Sequence, residues 1–249
     1  MFASTRDKVE SLKLMKVEEL GYQHTPLGDL TLRRRLEPRI GNREVFEVKL
    51  GDDYLMSSLF TESEQQLAIL GLAPLEGKLD VVIGGLGLGY TAAEALKNEK
   101  VDRLLVIDLF QTVIDWHQSG LVPLGKVLNN DKRCELRQGD FFELSRKSFD
   151  VNDPDKKFDA VLLDIDHSPK HFLDLDNTSF YTTEGFRSLS DQLKPGGVFA
   201  LWSDDPADAD FTERLETVFD SAEAHNVEFP NPYTRSTSIN SVYVARTKG

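Results

Sequence analysis

The sequence predicts an α/β protein in which a doubly wound, mostly parallel sheet is covered by helices on both faces and preceded by a small antiparallel β unit. Three observations carry that prediction. After Leu79, apolar runs such as Val81-Val82-Ile83 and Val161-Leu162-Leu163 alternate with helix-forming stretches, the pattern of strands hidden on both faces. Between Leu27 and Phe60, short alternating stretches broken at Gly41-Asn42 and Gly51-Asp52-Asp53 read as antiparallel strands. A glycine-rich turn, Gly84-Gly85-Leu86-Gly87-Leu88-Gly89, leads from the first parallel strand into the helix-forming run Ala92-Ala93-Glu94-Ala95-Leu96.

Taken in chain order, Leu30-Thr31-Leu32 and the stretch from Val45 to Leu50 supply strands of the β unit. A connecting helix follows, with Thr61 as its cap and Glu64 as reciprocal partner three residues on. Leu67, Ile69, Leu70 and Leu72 form its apolar face, and Pro74 ends it. Parallel strands are expected at 79–84, 103–108, 135–138, 158–164 and 197–202, with a last strand at 242–245. The expected domains are 1–74, an N-terminal helix with the β unit and connecting helix, and 75–249, a nucleoside-binding catalytic domain.

Composition removes several function classes. A chain of 249 residues buries roughly 70% of its unfolded surface and needs no staples. With 29 Lys plus Arg against 42 Asp plus Glu, the net charge of −13 repels nucleic acid, and no run is apolar and long enough for a membrane span or a secretory signal. Cys134 stands alone, which rules out an intramolecular disulfide or a cysteine zinc cluster and fits a reducing, cytoplasmic setting.

The chemistry gathers at the C-terminal ends of the parallel strands. Gly84, Gly85, Gly87 and Gly89 let backbone approach a ligand, and the helix start behind them offers free N–H groups. Tyr90 occupies the sixth position that a dinucleotide fingerprint reserves for glycine, and no Gly-Lys-Ser/Thr follows, so neither a dinucleotide nor a triphosphate loop is expected. Asp108, ending the second strand, is placed to accept both hydroxyls of a ribose. Asp140 is placed to accept an adenine amino proton, with Phe141 packed against the ring, and helix capping is the alternative role for either aspartate. His167 and His171 lie beside Asp164 and Asp166, but Pro169 interrupts the helix that would align an i, i+4 pair, and no metal is assigned.

Together these residues resemble the class I S-adenosylmethionine-dependent methyltransferase fold and, more narrowly, the spermidine synthase-like family of polyamine aminopropyltransferases. The resemblance rests on Ile83-Gly84-Gly85 with its loop, Asp108, Gly139-Asp140, the run from Phe158 to Asp164, and Leu193-Lys194-Pro195-Gly196-Gly197, and it covers most of the chain. It implies a Rossmann-like, doubly wound, mostly parallel sheet of seven strands and a homodimer. By motif match, the glycines, Asp108 and Asp140 hold the nucleoside of S-adenosylmethionine or its decarboxylated form as co-substrate, and Asp164 takes a proton from the attacking amine.

Three positions depart from the family. Leu88 aligns with an aspartate that faces the amino-acid tail, His167 replaces a second aspartate after Asp164, and Gln66 and Ala68 replace a substrate-facing Tyr and Glu. His167 is an alternative proton acceptor with Asp164 orienting it. Glu62, Gln66, Asp166 and Asp204 line the acceptor pocket, while Trp202 and Tyr181 are either its walls or core. Three readings follow: aminopropyl transfer to an amine, methyl transfer from S-adenosylmethionine to a small acceptor, and a nucleoside-binding protein without catalysis. The intact Asp164 stands against the third.

Overall fold

A computed structural model describes residues 17–249, so the expected N-terminal helix lies outside the described residues. The described chain divides into two units. The smaller takes the chain up to Phe60 together with Pro230–Thr237, and the larger takes Thr61–Phe229 and Ser238–Gly249.

The smaller unit is an antiparallel sheet of β1 (Glu18–Thr25), β2 (Gly28–Glu37), β3 (Arg43–Leu50) and β4 (Asp53–Ser57), paired in chain order. Leu30, Leu32, Val45 and Val48 are buried along one face, as period-two alternation requires. The same unit buries charge: Glu47 accepts from Arg33 Nε at 2.6 Å and Arg35 Nε at 2.8 Å, and Glu37 accepts from Arg35 at 2.6 Å and from Tyr233 Oη at 2.8 Å.

The larger unit opens with α1 (Glu62–Leu72), and β5 (Leu79–Gly84), α2 (Tyr90–Lys97) and β6 (Val101–Asp108) follow. Next come α3 (Gln111–Gln118), α4 (Gly125–Asn130), β7 (Cys134–Gln138), α5 (Phe141–Arg146) and β8 (Phe158–Leu163). The chain ends with α6 (Thr183–Ser190), β9 (Leu193–Ser203), α7 (Ala209–Glu216), β10 (Ser221–Asn231) and β11 (Ser236–Arg246). The seven strands stand in the order β10-β11-β9-β8-β5-β6-β7, with β5 through β9 parallel and β11 antiparallel to β9. From β5 the chain moves outward through β6 to β7, then returns to β8 on the other side of β5. The strand order therefore reverses between β5 and β8, and ligands bind outside the C-terminal ends of strands at such a point.

Two details differ from the sequence reading. The domain boundary falls at Phe60/Thr61 and not at residue 74, because α1 packs within the larger unit: a Cβ on Gly71 would lie 2.6 Å from Leu162 Cδ2 of β8 and 3.0 Å from Ala200 Cβ of β9. Ile69, assigned to the apolar face of α1, is 45% exposed. The packed face is Leu67, Ala68, Gly71 and Leu72, which are buried at i, i+1, i+4 and i+5.

Candidate active site

The reversal point brings the glycine loop and Asp164 into contact. Asp164 N–H donates to Gly84 O at 2.8 Å, and Gly85 N–H donates to Ile107 O at 2.8 Å, so the last residues of β5, β6 and β8 are tied side by side. Gly85 has φ +93°, and a Cβ there would stand 2.0 Å from the Asp164 carbonyl oxygen. Only glycine allows both that conformation and that approach. Gly84 is required for a different reason: a Cβ would lie 2.5 Å from the Phe141 ring.

Asp164 carries the central carboxylate. Its Oδ2 accepts from Thr91 Oγ1, in the first turn of α2, at 2.6 Å. Burial raises its carboxyl to about 6 against the opposing effect of that bond. No hydrogen bond joins the His167 ring to Asp164 among the described residues, so the expected His167–Asp164 pairing is not formed; Thr91 takes the orienting place instead. His167 contributes its carbonyl, which accepts from Asp204 N–H at 2.7 Å and pins the loop after β8 to the loop after β9.

Glu64, read from the sequence as a capping residue, belongs to this site. The helix start is closed by Glu62, whose Oε2 accepts from Thr61 N–H at 3.0 Å, while Gln65 Nε2 donates to Thr61 Oγ1 at 2.9 Å. Glu62 is thereby exposed at the cap, and Glu64 turns inward with 8% of its surface accessible. Burial first, and then the negative charge of Asp164, push the Glu64 carboxyl up to about 8. Beside it, Ser63 Oγ lies 3.0 Å from Glu64 Oε2 and accepts from Trp202 Nε1 at 2.8 Å. Trp202 is thus half-buried and fixed by α1, whereas Tyr181 is core, 3% exposed.

Several predicted positions serve the framework. Asp166 is 2% exposed and accepts from Leu173 N–H at 2.8 Å, Asn177 Nδ2 at 3.0 Å and Tyr181 Oη at 2.9 Å. It organises the loop from Ile165 to Tyr181 and does not face an acceptor. Phe141, 2% exposed, packs beneath Gly84 in an aromatic cluster with Phe142, Phe149 and Phe180, so it floors the loop from inside the core instead of meeting a base. Leu88 is fully buried in the glycine loop. Gln66 is half-buried on α1, and Asp204 is exposed after β9.

Asp108 and Asp140, the two carboxylates expected at the nucleoside, hold backbone. Asp108 Oδ2 accepts from Leu86 N–H at 3.0 Å and Oδ1 from Phe110 N–H at 2.8 Å, a clamp between the glycine loop and the turn after β6. Burial raises its carboxyl above the ordinary range. Asp140 Oδ1 caps α5, accepting from Phe142 N–H at 2.8 Å and Glu143 N–H at 3.1 Å, and its side chain is exposed at the strand end. His117, which no sequence pattern singles out, props the loop from below: Nε2 lies 3.0 Å from Gly87 O, and a Cβ on Gly89 would be 2.8 Å from its ring. The other histidine of this loop, His171, meets Ser168 Oγ at 3.1 Å through Nδ1.

An open α/β sheet with a glycine loop, strand-end acids and a half-buried carboxylate at its reversal point is the arrangement of the methyltransferase-like fold. The model of the Spermine/spermidine synthase domain matches residues 64–222, and the chain belongs to that family. Among curated relatives, polyamine aminopropyltransferase 2 of Pseudomonas aeruginosa is 28% identical over 162 residues, 61% of this chain and 43% of that protein. A polyamine aminopropyltransferase of Saccharolobus islandicus is 26% identical over 197 residues, 78% of this chain and 59% of that protein. The chain thus spans about half the length of these relatives. A crystal structure of spermidine synthase in complex with the transition state analogue AdoDATO shares the fold at a TM-score of 0.72 and 20% identity, covering 94% of this chain and 75% of that one. Spermidine synthase from Thermotoga maritima gives a TM-score of 0.71 at 20% identity with the same coverage.

Proposed function

We propose that the chain is a transferase that moves an aminopropyl group from decarboxylated S-adenosylmethionine to an amine. The observation that carries this reading is the placement of Asp164, half-buried at the strand reversal against Gly85, in a chain of the Spermine/spermidine synthase family. The glycine loop, the remaining lone pairs of the Asp108 carboxylate and Asp140 Oδ2 receive the nucleoside, with Phe141 below the loop. The acceptor enters as an ammonium ion and gives a proton to Asp164. The freed nitrogen lone pair attacks the propyl carbon beside the sulfonium; the C–N bond forms, the C–S bond breaks, and its electron pair stays on sulfur as neutral methylthioadenosine. Sulfonium is already a good leaving group, so the residues mainly align and deprotonate.

Titration calorimetry with S-adenosylmethionine, its decarboxylated form and methylthioadenosine tests the assignment. Tightest binding of the decarboxylated form supports aminopropyl transfer. Preference for the carboxylated form supports methyl transfer, the reading that Leu88 at the family's aspartate position favours by removing a repelling carboxylate. Binding of none of the three removes the nucleoside site. Asp164→Asn is expected to lower kcat by roughly 10²–10⁴-fold with nucleoside affinity unchanged; full activity in that variant would take Asp164 out of the chemistry.

A further inference from the structure

We propose that Glu64 is the second carboxyl group of the acceptor site, held neutral in the resting protein and ionised by the ammonium group of the amine that it positions. The inference rests on the aminopropyl-transfer reading above.

Its geometric basis is the hydrogen-bond chain around Ser63. Asn240 orients its amide with Nδ2 towards Ile239 O at 3.3 Å and Asp204 Oδ1 at 3.2 Å, because the opposite orientation would set its carbonyl oxygen against two acceptors. Its Oδ1 then faces Ser63 Oγ at 3.0 Å and takes the one hydroxyl proton that Ser63 has. Trp202 Nε1 donates to the same hydroxyl at 2.8 Å. The remaining 3.0 Å contact, between Ser63 Oγ and Glu64 Oε2, is a hydrogen bond only if Glu64 supplies the proton. The surroundings favour that state: the charged groups facing Glu64 are Asp164 from the end of β8 and Glu62 from its own helix, both negative.

Position completes the case. Glu64 lies four residues before Ala68 on α1, so both share one helix face. Ala68 is the position where the family resemblance places a substrate-facing carboxylate, and Gly71, further along that face, seats the helix on Leu162 of β8. The carboxylate missing at Ala68 is therefore supplied one turn earlier, beside Asp164. Resting, the pair carries a single negative charge; a diamine bringing a second ammonium group ionises Glu64 and releases its proton.

Glu64→Gln is the informative variant, because its amide donates to Ser63 Oγ as the protonated acid does and the fold is kept. Titration of the full chain with 1,4-diaminobutane in the presence of methylthioadenosine, near neutral pH and in two buffers of different ionisation enthalpy, counts the protons released. The wild type is expected to release about one proton more than Glu64→Gln, and the variant's KM for the diamine to rise roughly 10- to 100-fold. Binding with equal proton release in both proteins overturns the role of Glu64 and leaves aminopropyl transfer standing. An amine-independent arm follows carboxyl carbon-13-labelled glutamate by NMR in the free protein. A signal absent from Glu64→Gln and titrating well above the ordinary carboxylate range supports the neutral resting state; a Glu64 carbon titrating in that range overturns it. If the diamine does not bind at all, the acceptor reading falls, and with it Glu64's role, whatever the NMR arm shows of its protonation.

Discussion

The proposed transfer turns on a carboxylate whose basicity is set by two opposing effects. Burial raises Asp164 to about 6, and the Thr91 hydroxyl at 2.6 Å restrains that rise. Thr91→Val removes the restraint while keeping shape, so the acid limb of the pH–rate profile is expected to move up by about one unit; an unmoved limb would show that Asp164 does not titrate in the rate-limiting step. Gly85→Ala is expected to cost about 2–4 kcal/mol in denaturant unfolding, from positive φ and the clash with Asp164 O, and to abolish nucleoside binding. At this scale the sequence was partly legible. Asp164 and the glycines stand out because only those residue types suit a strand end and a tight turn. Glu64 does not, because Thr61 and Glu64 have the spacing of a capping box, and nothing in that spacing says that Glu62 closes the helix and leaves Glu64 free to turn inward.

Elements place these residues, and here the apolar pattern reads well. Runs buried on both faces, such as Ala160 to Leu163 at 0% exposure, announce parallel strands without ambiguity. β10 carries no such signal: Ser221 to Asn226 are exposed or half-buried on the sheet edge, and the segment has no continuous apolar run to distinguish it from a loop. Phe141 was misleading for a related reason, since an apolar residue after a strand end reads equally as a pocket wall or as core, and packing decides. The seat of α1 depends on Gly71, where a Cβ meets Leu162 and Ala200. Gly71→Ala is expected to cost about 1–3 kcal/mol by overpacking, despite alanine's better helix propensity. A gain in melting temperature would mean that α1 is free to shift on β8. In the small sheet, Glu47→Ala leaves Arg33 without its carboxylate and Arg35 with Glu37 alone, and a loss of about 1.5–3 kcal/mol is expected.

For the whole molecule, the paired acids link function to the stability curve. Glu64 is raised from 4.5 to about 8 in the folded protein, so between those values the folded state holds a proton that the unfolded chain has released. Stability from this group is therefore full below about pH 4.5 and falls as pH rises through about 8. Relative to Glu64→Gln, the wild type is expected to lose about 2–5 kcal/mol across that window and none beyond it, measured by chemical denaturation at a series of pH values. Parallel curves for the two proteins would contradict a neutral, buried Glu64. The central claim is the reaction itself, and product analysis reaches it most directly. The protein is incubated with 1,4-diaminobutane and either decarboxylated or ordinary S-adenosylmethionine, and products are identified by mass spectrometry. Aminopropyl transfer predicts methylthioadenosine and an aminopropylated diamine in equal amounts from the decarboxylated donor only, with turnover lost in Asp164→Asn. Formation of S-adenosylhomocysteine and a methylated amine from the ordinary donor, with no aminopropylated product, would contradict it.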